Sequence, residues 1–411
     1  MSSIQDRLAF LAMAEMWYCL YPVRTNRSSF RMTKNIFSIA DIRSSAKRRM
    51  PKIMFDYVDG AAGSEYACEL NSTLLDRIRL QPRVLVNVEN RKLNKTLFDR
   101  EWALPFGIAP MGMCDLTWPG ADKMLAAAAV KYNIPLVLST MASSTIEDTR
   151  NRAGENAWFQ LYVGQSEQAG IDLVSRAEAC GYDTLILTVD VPIVAPRPRE
   201  QRNGFQTPLK IGPKLFFDFA THPQWSIRTL LAGVPELANN VGVDSSEIIV
   251  RNESRGKVDW NFLDRLRKRW RGKLIVKGVL SDVDAVRIRD ADVDAIYVSN
   301  HGGRQLDSAP AAIQMLPTIR KAVGDEFPVI FDSGVRNGEA VIKALALGAD
   351  FVMLGRPFMY GIGAAEEQGL DAVIELLTGQ VDAALSQIGI PDINDIDGSV
   401  VVNQPPWNLT S

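Results

Sequence analysis

The run Ser299-Asn300-His301-Gly302-Gly303-Arg304-Gln305-Leu306-Asp307 places one of only two histidines in the chain three residues before an arginine. The apolar Ile296, Tyr297 and Val298 precede it, so a buried strand would end in a polar, glycine-flanked turn. A guanidinium beside an imidazole disfavours the imidazolium. The pair therefore suits a neutral base next to an anchor for an anionic substrate. A histidine that merely caps a turn fits the same residues.

Two further turns, Asp332-Ser333-Gly334-Val335-Arg336-Asn337-Gly338 and Leu354-Gly355-Arg356, repeat glycine with arginine. Glycines let backbone N–H groups approach an anion, a helix N-terminus adds its dipole, and arginines add charge, which together make a phosphate site. Two ordinary turns with surface arginines are the alternative. Lys277 closes the apolar Ile275-Val276; it could hold negative charge on a reduced isoalloxazine ring or pair with a buried carboxylate. Ala109-Pro110-Met111-Gly112, Ser139, Gln160 and Thr188 offer hydrogen bonds to a planar polar ring edge. These features favour flavin mononucleotide, FMN, over a sugar phosphate.

Such residues need a scaffold that brings them to one face. Short apolar runs at 104–109, 136–139, 158–163, 184–190, 274–277, 295–299, 329–332 and 351–354 read as strands buried on both sides. Amphipathic segments at 122–132, 167–180, 260–270, 283–290, 311–323 and 338–347 read as the intervening helices. The count predicts the α/β class and a (β/α)8 TIM barrel with its chemistry at the strand C-termini. A doubly wound sheet is the competitor, but the G-x-G-x-x-G turn of its dinucleotide-binding form is absent. The barrel rhythm breaks at 204–258, after the fourth strand. Lys210, Lys214, Phe216, Phe217, Phe219, Trp225 and Arg228 there suit a lid or a membrane-facing surface.

At 411 residues, 46% hydrophobic and 23% charged, the chain has the composition of a soluble globular protein. A net charge of -2 gives no sign of nucleic acid as a partner. Cys19, Cys68, Cys114 and Cys180 are scattered without metal-ligand spacing, so no metal site and a reducing compartment are expected. No apolar stretch is long enough to span a bilayer. Residues 1–31 form an extension, apolar and then basic, that could be a targeting segment, a surface helix, a poorly ordered tail or residues ahead of a start at Met32. The remainder, 32–411, reads as a single FMN-binding barrel domain with a helical N-terminal part and 204–258 as its insertion.

From about Ile36 to Ile396 the chain resembles the FMN-dependent L-2-hydroxy acid dehydrogenase and oxidase family, which includes glycolate oxidase, flavin-type lactate dehydrogenases and mandelate dehydrogenase. The resemblance rests on Ser299 to Asp307, on Phe55-Asp56-Tyr57 with Gly60-Ala61-Ala62, on Phe159-Gln160-Leu161-Tyr162-Val163, on Thr188-Val189-Asp190 and on Val276-Lys277-Gly278. It implies His301 as the base, Asp190 as the carboxylate that stabilises its imidazolium, and Arg304 and Arg197 as a clamp on the substrate carboxylate. Tyr57 and Tyr162 would bond the carboxylate and hydroxyl, and Lys277 would stabilise reduced flavin. Ala109, Pro110, Met111, Gly112, Ser139, Gln160, Thr188, Ser299, Asp332, Gly334, Arg336, Gly355 and Arg356 would hold the FMN.

The chain departs from the family in places. Pro196 and Pro198 flank Arg197 and restrict its backbone. Met141 stands where glycolate oxidases carry tryptophan, which implies room for a bulkier acid than glycolate; Gly112 replaces an alanine frequent near the flavin in the family, a change that goes with slow reaction with oxygen in some members, and Met141, Val194 and Gly112 would line the substrate. His222-Pro223-Gln224-Trp225 is similar to the lactate and mandelate dehydrogenases. The implied reaction is oxidation of a lactate- or mandelate-like L-2-hydroxy acid to the 2-oxo acid, with electrons passing through FMN to a quinone or cytochrome. An oxidase reducing O2 to H2O2 is the close alternative, and a non-redox flavin- or phosphate-binding barrel enzyme the distant one. A homotetramer is implied, with a cytoplasmic location or peripheral attachment to the inner face of the membrane through 204–258.

Overall fold

The computed structural model describes residues 36–164, 166–206, 209–240 and 256–402; the extension 1–31 and residues 241–255 of the insertion lie outside them. Lys95–Leu97 (β1) and Arg100–Trp102 (β2) pair as an antiparallel hairpin. Eight parallel strands then close a barrel: Phe106–Met111 (β3), Leu136–Ser139 (β4), Ala157–Leu161 (β5), Thr184–Thr188 (β6), Lys273–Val279 (β7), Ala295–Val298 (β8), Val329–Phe331 (β9) and Phe351–Leu354 (β10). The expected (β/α)8 barrel is the observed fold.

Most strands are buried along their whole length, which explains continuous apolar runs in place of alternation. Alternate residues fill the barrel, including Val137, Trp158, Ile186, Ile275, Tyr297 and Phe351. Leu97 and Trp102 of the hairpin join this interior cluster, and Trp102 meets Trp158 edge to face at 5.9 Å. The barrel interior is therefore packed, which leaves the strand C-termini as the place where barrel chemistry collects.

Among the described residues, three helices precede the barrel: Ile39–Arg49, Lys52–Asp59 and Tyr66–Arg77. The second carries Tyr57, and Asp59 at its end fastens it. That buried carboxylate takes two bonds from Arg43 (2.6 and 2.8 Å), one from Arg199 (2.6 Å) and one from the Tyr360 hydroxyl (2.8 Å). Burial opposes its ionisation, but Arg43, Tyr360 and Arg199 outweigh this and hold the carboxyl far below its ordinary range.

Several sequence expectations need correction, among them the strand at 158–163, which ends at Leu161, and the strand at 274–277, which runs on to Val279. The first strand starts and ends two residues later than 104–109, because Pro105 precedes the paired segment. The fourth ends at Thr188, so Val189 and Asp190 belong to the loop. The helices Ile146–Ala153 and Arg356–Ile388 were not anticipated; the second is broken at Ala365 and Glu366. The insertion forms the helices Pro213–Ala220 and Pro223–Ala232. Trp225 Nε1 bonds the Thr117 carbonyl at 2.8 Å, and Asp218 accepts from the Lys52 amide at 3.0 Å. The described part of the insertion thus packs beside the mouth: Phe205 stacks on Tyr57, and no described residue from 209 to 240 lines the cavity.

Candidate active site

A cleft at the strand C-termini encloses about 1280 Å³ out to its open mouth. Every strand end contributes to it directly or through the next shell of side chains. Its chemistry begins with the backbone at His301, which has φ 59°, a region that non-glycine residues rarely adopt and that costs roughly 1–3 kcal/mol. Neighbouring bonds hold it there. The His301 amide donates to Ser299 Oγ at 3.0 Å, and the Gly302 amide donates to Ser333 Oγ at 3.0 Å. The Asn300 side chain accepts from the Gly303 amide and exchanges two bonds with Asn71. Gly303 at φ 76° is required, since a Cβ would stand 2.5 Å from the Cys68 amide nitrogen.

This turn aims the imidazole between two partners. Nδ1 lies 3.1 Å from Asp190 Oδ1, and Nε2 lies 3.3 Å from the Tyr162 hydroxyl. Burial and then Lys277 and Arg197 work against the imidazolium, while Asp190 favours it; the net effect lowers the affinity for a proton. Burial opposes charge on Asp190 too, but His301 and Lys277 overcome it and keep that carboxyl below its ordinary range. The ring is thus neutral at neutral pH, with a carboxylate at Nδ1 that would stabilise a positive charge on it.

Arg197 and Arg304 line the same cleft. Pro198 occupies the first turn of the short helix Pro198–Arg202, which Arg197 caps. Pro198 therefore starts a helix whose N-cap position is Arg197. Arg304 gives Nη1 to the carbonyls of Tyr57 and Gly60, both at 2.8 Å, and its guanidinium lies over the Tyr57 ring. Burial, then the charge of Arg197, pulls it down to about 9, so it stays charged at neutral pH. Glu200, which sequence reasoning missed, reaches both guanidiniums. Its position three residues after Arg197, behind a helix-starting proline, was the available signal.

Tyr57, Gly112, Met141, Tyr162 and Val194 form the remaining wall. The Tyr57 hydroxyl donates to the Gly112 carbonyl at 3.2 Å, and its ring stacks on Phe205 at 4.8 Å. A Cβ on Gly112 would meet Met141 Cβ at 2.9 Å, so glycine and methionine share one space.

Residues expected to hold FMN divide into two sets. Ala109, Pro110, Met111, Ser139, Lys277, Asp332, Gly334, Arg336, Gly355 and Arg356 line the cleft. Gln160, Thr188 and Ser299 sit behind it and are buried. Ser139 Oγ donates to Gln160 Oε1 at 2.9 Å, and Lys277 Nζ donates to Ser299 Oγ at 2.9 Å with Asp332 at 3.7 Å. Both readings of Lys277 therefore remain compatible with its surroundings. Gln160 Nε2 and Thr188 Oγ1 are buried without a partner. Orphaned polar atoms of this kind fit a ring edge bearing carbonyls and N–H groups. Gly334 at φ 88°, Arg336 and Gly355 fit a phosphate after the last two strands. Arg356, which also lines the cleft, is held by bonds from its guanidinium to the carbonyls of Val58, Gly302 and Gly60.

A family model described as FMN-dependent dehydrogenase matches residues 46–403. The (S)-mandelate dehydrogenase of Pseudomonas putida is 38% identical over 382 residues, covering 92% of this chain and 96% of that one. The L-lactate dehydrogenase of Pseudomonas syringae pv. syringae (strain B728a) is 34% identical over 375 residues, 89% of this chain and 98% of its own. A crystal structure of monotopic membrane protein (S)-mandelate dehydrogenase superposes with a TM-score of 0.86 at 38% identity, over 90% of this chain and all of that one (100%).

Proposed function

The chain belongs to the FMN-dependent dehydrogenase family, whose members bind FMN, and on that premise we propose that it oxidises a lactate- or mandelate-like L-2-hydroxy acid to the 2-oxo acid. The observation that carries the proposal is the convergence of His301, Arg197 and Arg304 on one cleft.

Arg197 and Arg304 would take the substrate carboxylate, since planar guanidiniums meet a carboxylate with two parallel bonds. Held there, the substrate presents its hydroxyl-bearing carbon to His301 in a fixed orientation. His301 would accept a proton at Nε2, the nitrogen turned away from Asp190, and Asp190 would stabilise the imidazolium through Nδ1. Tyr162, already bonded to Nε2, and Tyr57 would bond the hydroxyl and carboxylate. FMN, when bound, supplies the two-electron acceptor. Gln160, Thr188, Ser139 and Lys277 would hold its ring, with Arg336, Gly334 and Gly355 at its phosphate. Gly112 and Met141 leave a wall of backbone and flexible thioether, which suits a side chain larger than hydrogen.

The electron acceptor in this reading is a quinone or cytochrome. Anaerobic titration of the FMN-loaded protein with both enantiomers of mandelate and lactate, and with glycolate, tests the substrate. The L acids should bleach the flavin and the D acids should not. Mixing the reduced protein with a soluble quinone or with O2 then tests the acceptor. Rapid reoxidation by O2 would replace the dehydrogenase reading with an oxidase.

The insertion favours a surface role at a membrane. No described helix is long and apolar enough to cross one. Phe217, Ile227, Leu230, Leu231 and Val234 are exposed beside the exposed Lys214 and Arg228, a composition suited to lying in an anionic lipid interface. Cosedimentation with anionic vesicles should fall in Phe217→Ser/Leu231→Ser; unchanged binding would remove this role. The proposal includes a homotetramer, checked by sedimentation velocity.

A further inference from the structure

We infer that Glu200 is a positioning residue that sets the two guanidiniums for a carboxylate, an inference that rests on the 2-hydroxy acid reading above. Glu200 is 4% exposed. Its Oε1 lies 3.3 Å from Arg197 Nη1 and 3.3 Å from Arg304 Nη2, so one oxygen bridges both cations. Two like charges in a desolvated cleft repel strongly, and a shared anion is the direct remedy.

The bridge also decides which edge of each guanidinium is left for a ligand. Arg197 spends Nη1 on Glu200, while its Nε is buried without a partner, so the Nε and Nη2 edge remains for a two-pronged bond. Arg304 spends Nη1 on two carbonyls and part of Nη2 on Glu200, which leaves its Nε side. Each arginine is pinned from behind, with an unused fork remaining.

Glu200 is itself held. Its carbonyl accepts from the Phe205 amide at 3.0 Å. The helix that carries it is tied to the Tyr57 helix by Arg199 to Asp59 at 2.6 Å and Asn203 to Asp56 at 2.7 Å. The same helix therefore sets Tyr57 and the arginine pair relative to each other.

Glu200→Gln keeps the shape and removes the charge, and Glu200→Asp keeps the charge. Calorimetry with oxalate, an unreactive dicarboxylate, reads the anion site separately from turnover. Glu200→Gln should weaken oxalate binding and raise KM by roughly tenfold or more, the scale of a charge-assisted hydrogen bond. FMN affinity should hold, and Glu200→Asp should recover most of the loss. Unchanged oxalate affinity in Glu200→Gln would overturn the inference. Tighter binding would overturn it as well, since Glu200 would then act only as a repelling charge. If wild type bound oxalate but no hydroxy acid bleached its flavin, the proposed reaction would fail while the Glu200 test still stood.

Discussion

His301 Nδ1 lies 3.1 Å from Asp190 Oδ1, although 111 residues separate the two in sequence. The contact turns Nε2 toward the cleft. It also sets a sign: Asp190 raises the proton affinity of the ring, whereas burial, Lys277 and Arg197 lower it further than Asp190 restores. In the proposed mechanism the active form of His301 is the neutral one. The acid limb of kcat/KM should therefore lie below the ordinary histidine value of about 6.5. Asp190→Asn should move that limb to still lower pH and slow flavin reduction about 10²-fold or more, because the imidazolium loses its counter-charge. A limb that moves upward in this variant would contradict the assignment.

Gly278 makes that contact sterically feasible. It has φ 102° at an irregularity in β7, and a Cβ there would stand 2.5 Å from Asp190 Cβ. Gly278→Ala should cost about 1–3 kcal/mol of stability through strain and collision. It should also reduce turnover by displacing Asp190. Denaturant unfolding and steady-state rates on one preparation check both; an alanine variant with full activity would show that Asp190 can move without consequence.

Arg304 makes bonds that a lysine cannot reproduce, with two carbonyls and Glu200 arranged around one planar group. Arg304→Lys should lose roughly 10- to 100-fold in kcat/KM while FMN stays bound. Loss of FMN in this variant would instead assign the arginine to the cofactor.

Behind the Met141 wall, Asp122 accepts from the amides of Ser143 at 2.8 Å and Ser144 at 3.0 Å. Burial, then Asp115, pushes its carboxyl up to about 7. Its folded value stands above the unfolded value near about 4. Its contribution to stability is therefore present below that pH and is lost as pH rises through about 7. Unfolding midpoints should fall between pH 5 and 8 in wild type and fall less in Asp122→Asn. Parallel slopes would show that Asp122 is already ionised across that window.

Much of this site was legible because its groups follow strands. The residues from Ser299 to Asp307 are contiguous, and Lys277, Asp332 and Arg356 each stand within two residues of a strand C-terminus, where barrel chemistry collects. Glu200 was not legible in the same way, since its meaning depends on Arg304, a residue 104 positions away. Helix Ile146–Ala153 escaped because six of its eight residues are charged or polar, Glu147, Asp148, Thr149, Arg150, Asn151 and Arg152, leaving little apolar period. The strain at His301 and the glycine requirement at 278 belong to backbone geometry, which residue type suggests without fixing.

Anaerobic stopped-flow mixing of the FMN-loaded protein with L-mandelate, wild type against His301→Gln, tests the central claim most directly. Wild type should lose the oxidised-flavin absorbance within the mixing experiment, and the variant should keep its flavin but reduce it at least about 10²-fold more slowly. Equal rates in both proteins would contradict His301 as the base, and no bleaching in wild type with any L-2-hydroxy acid would contradict the reaction itself.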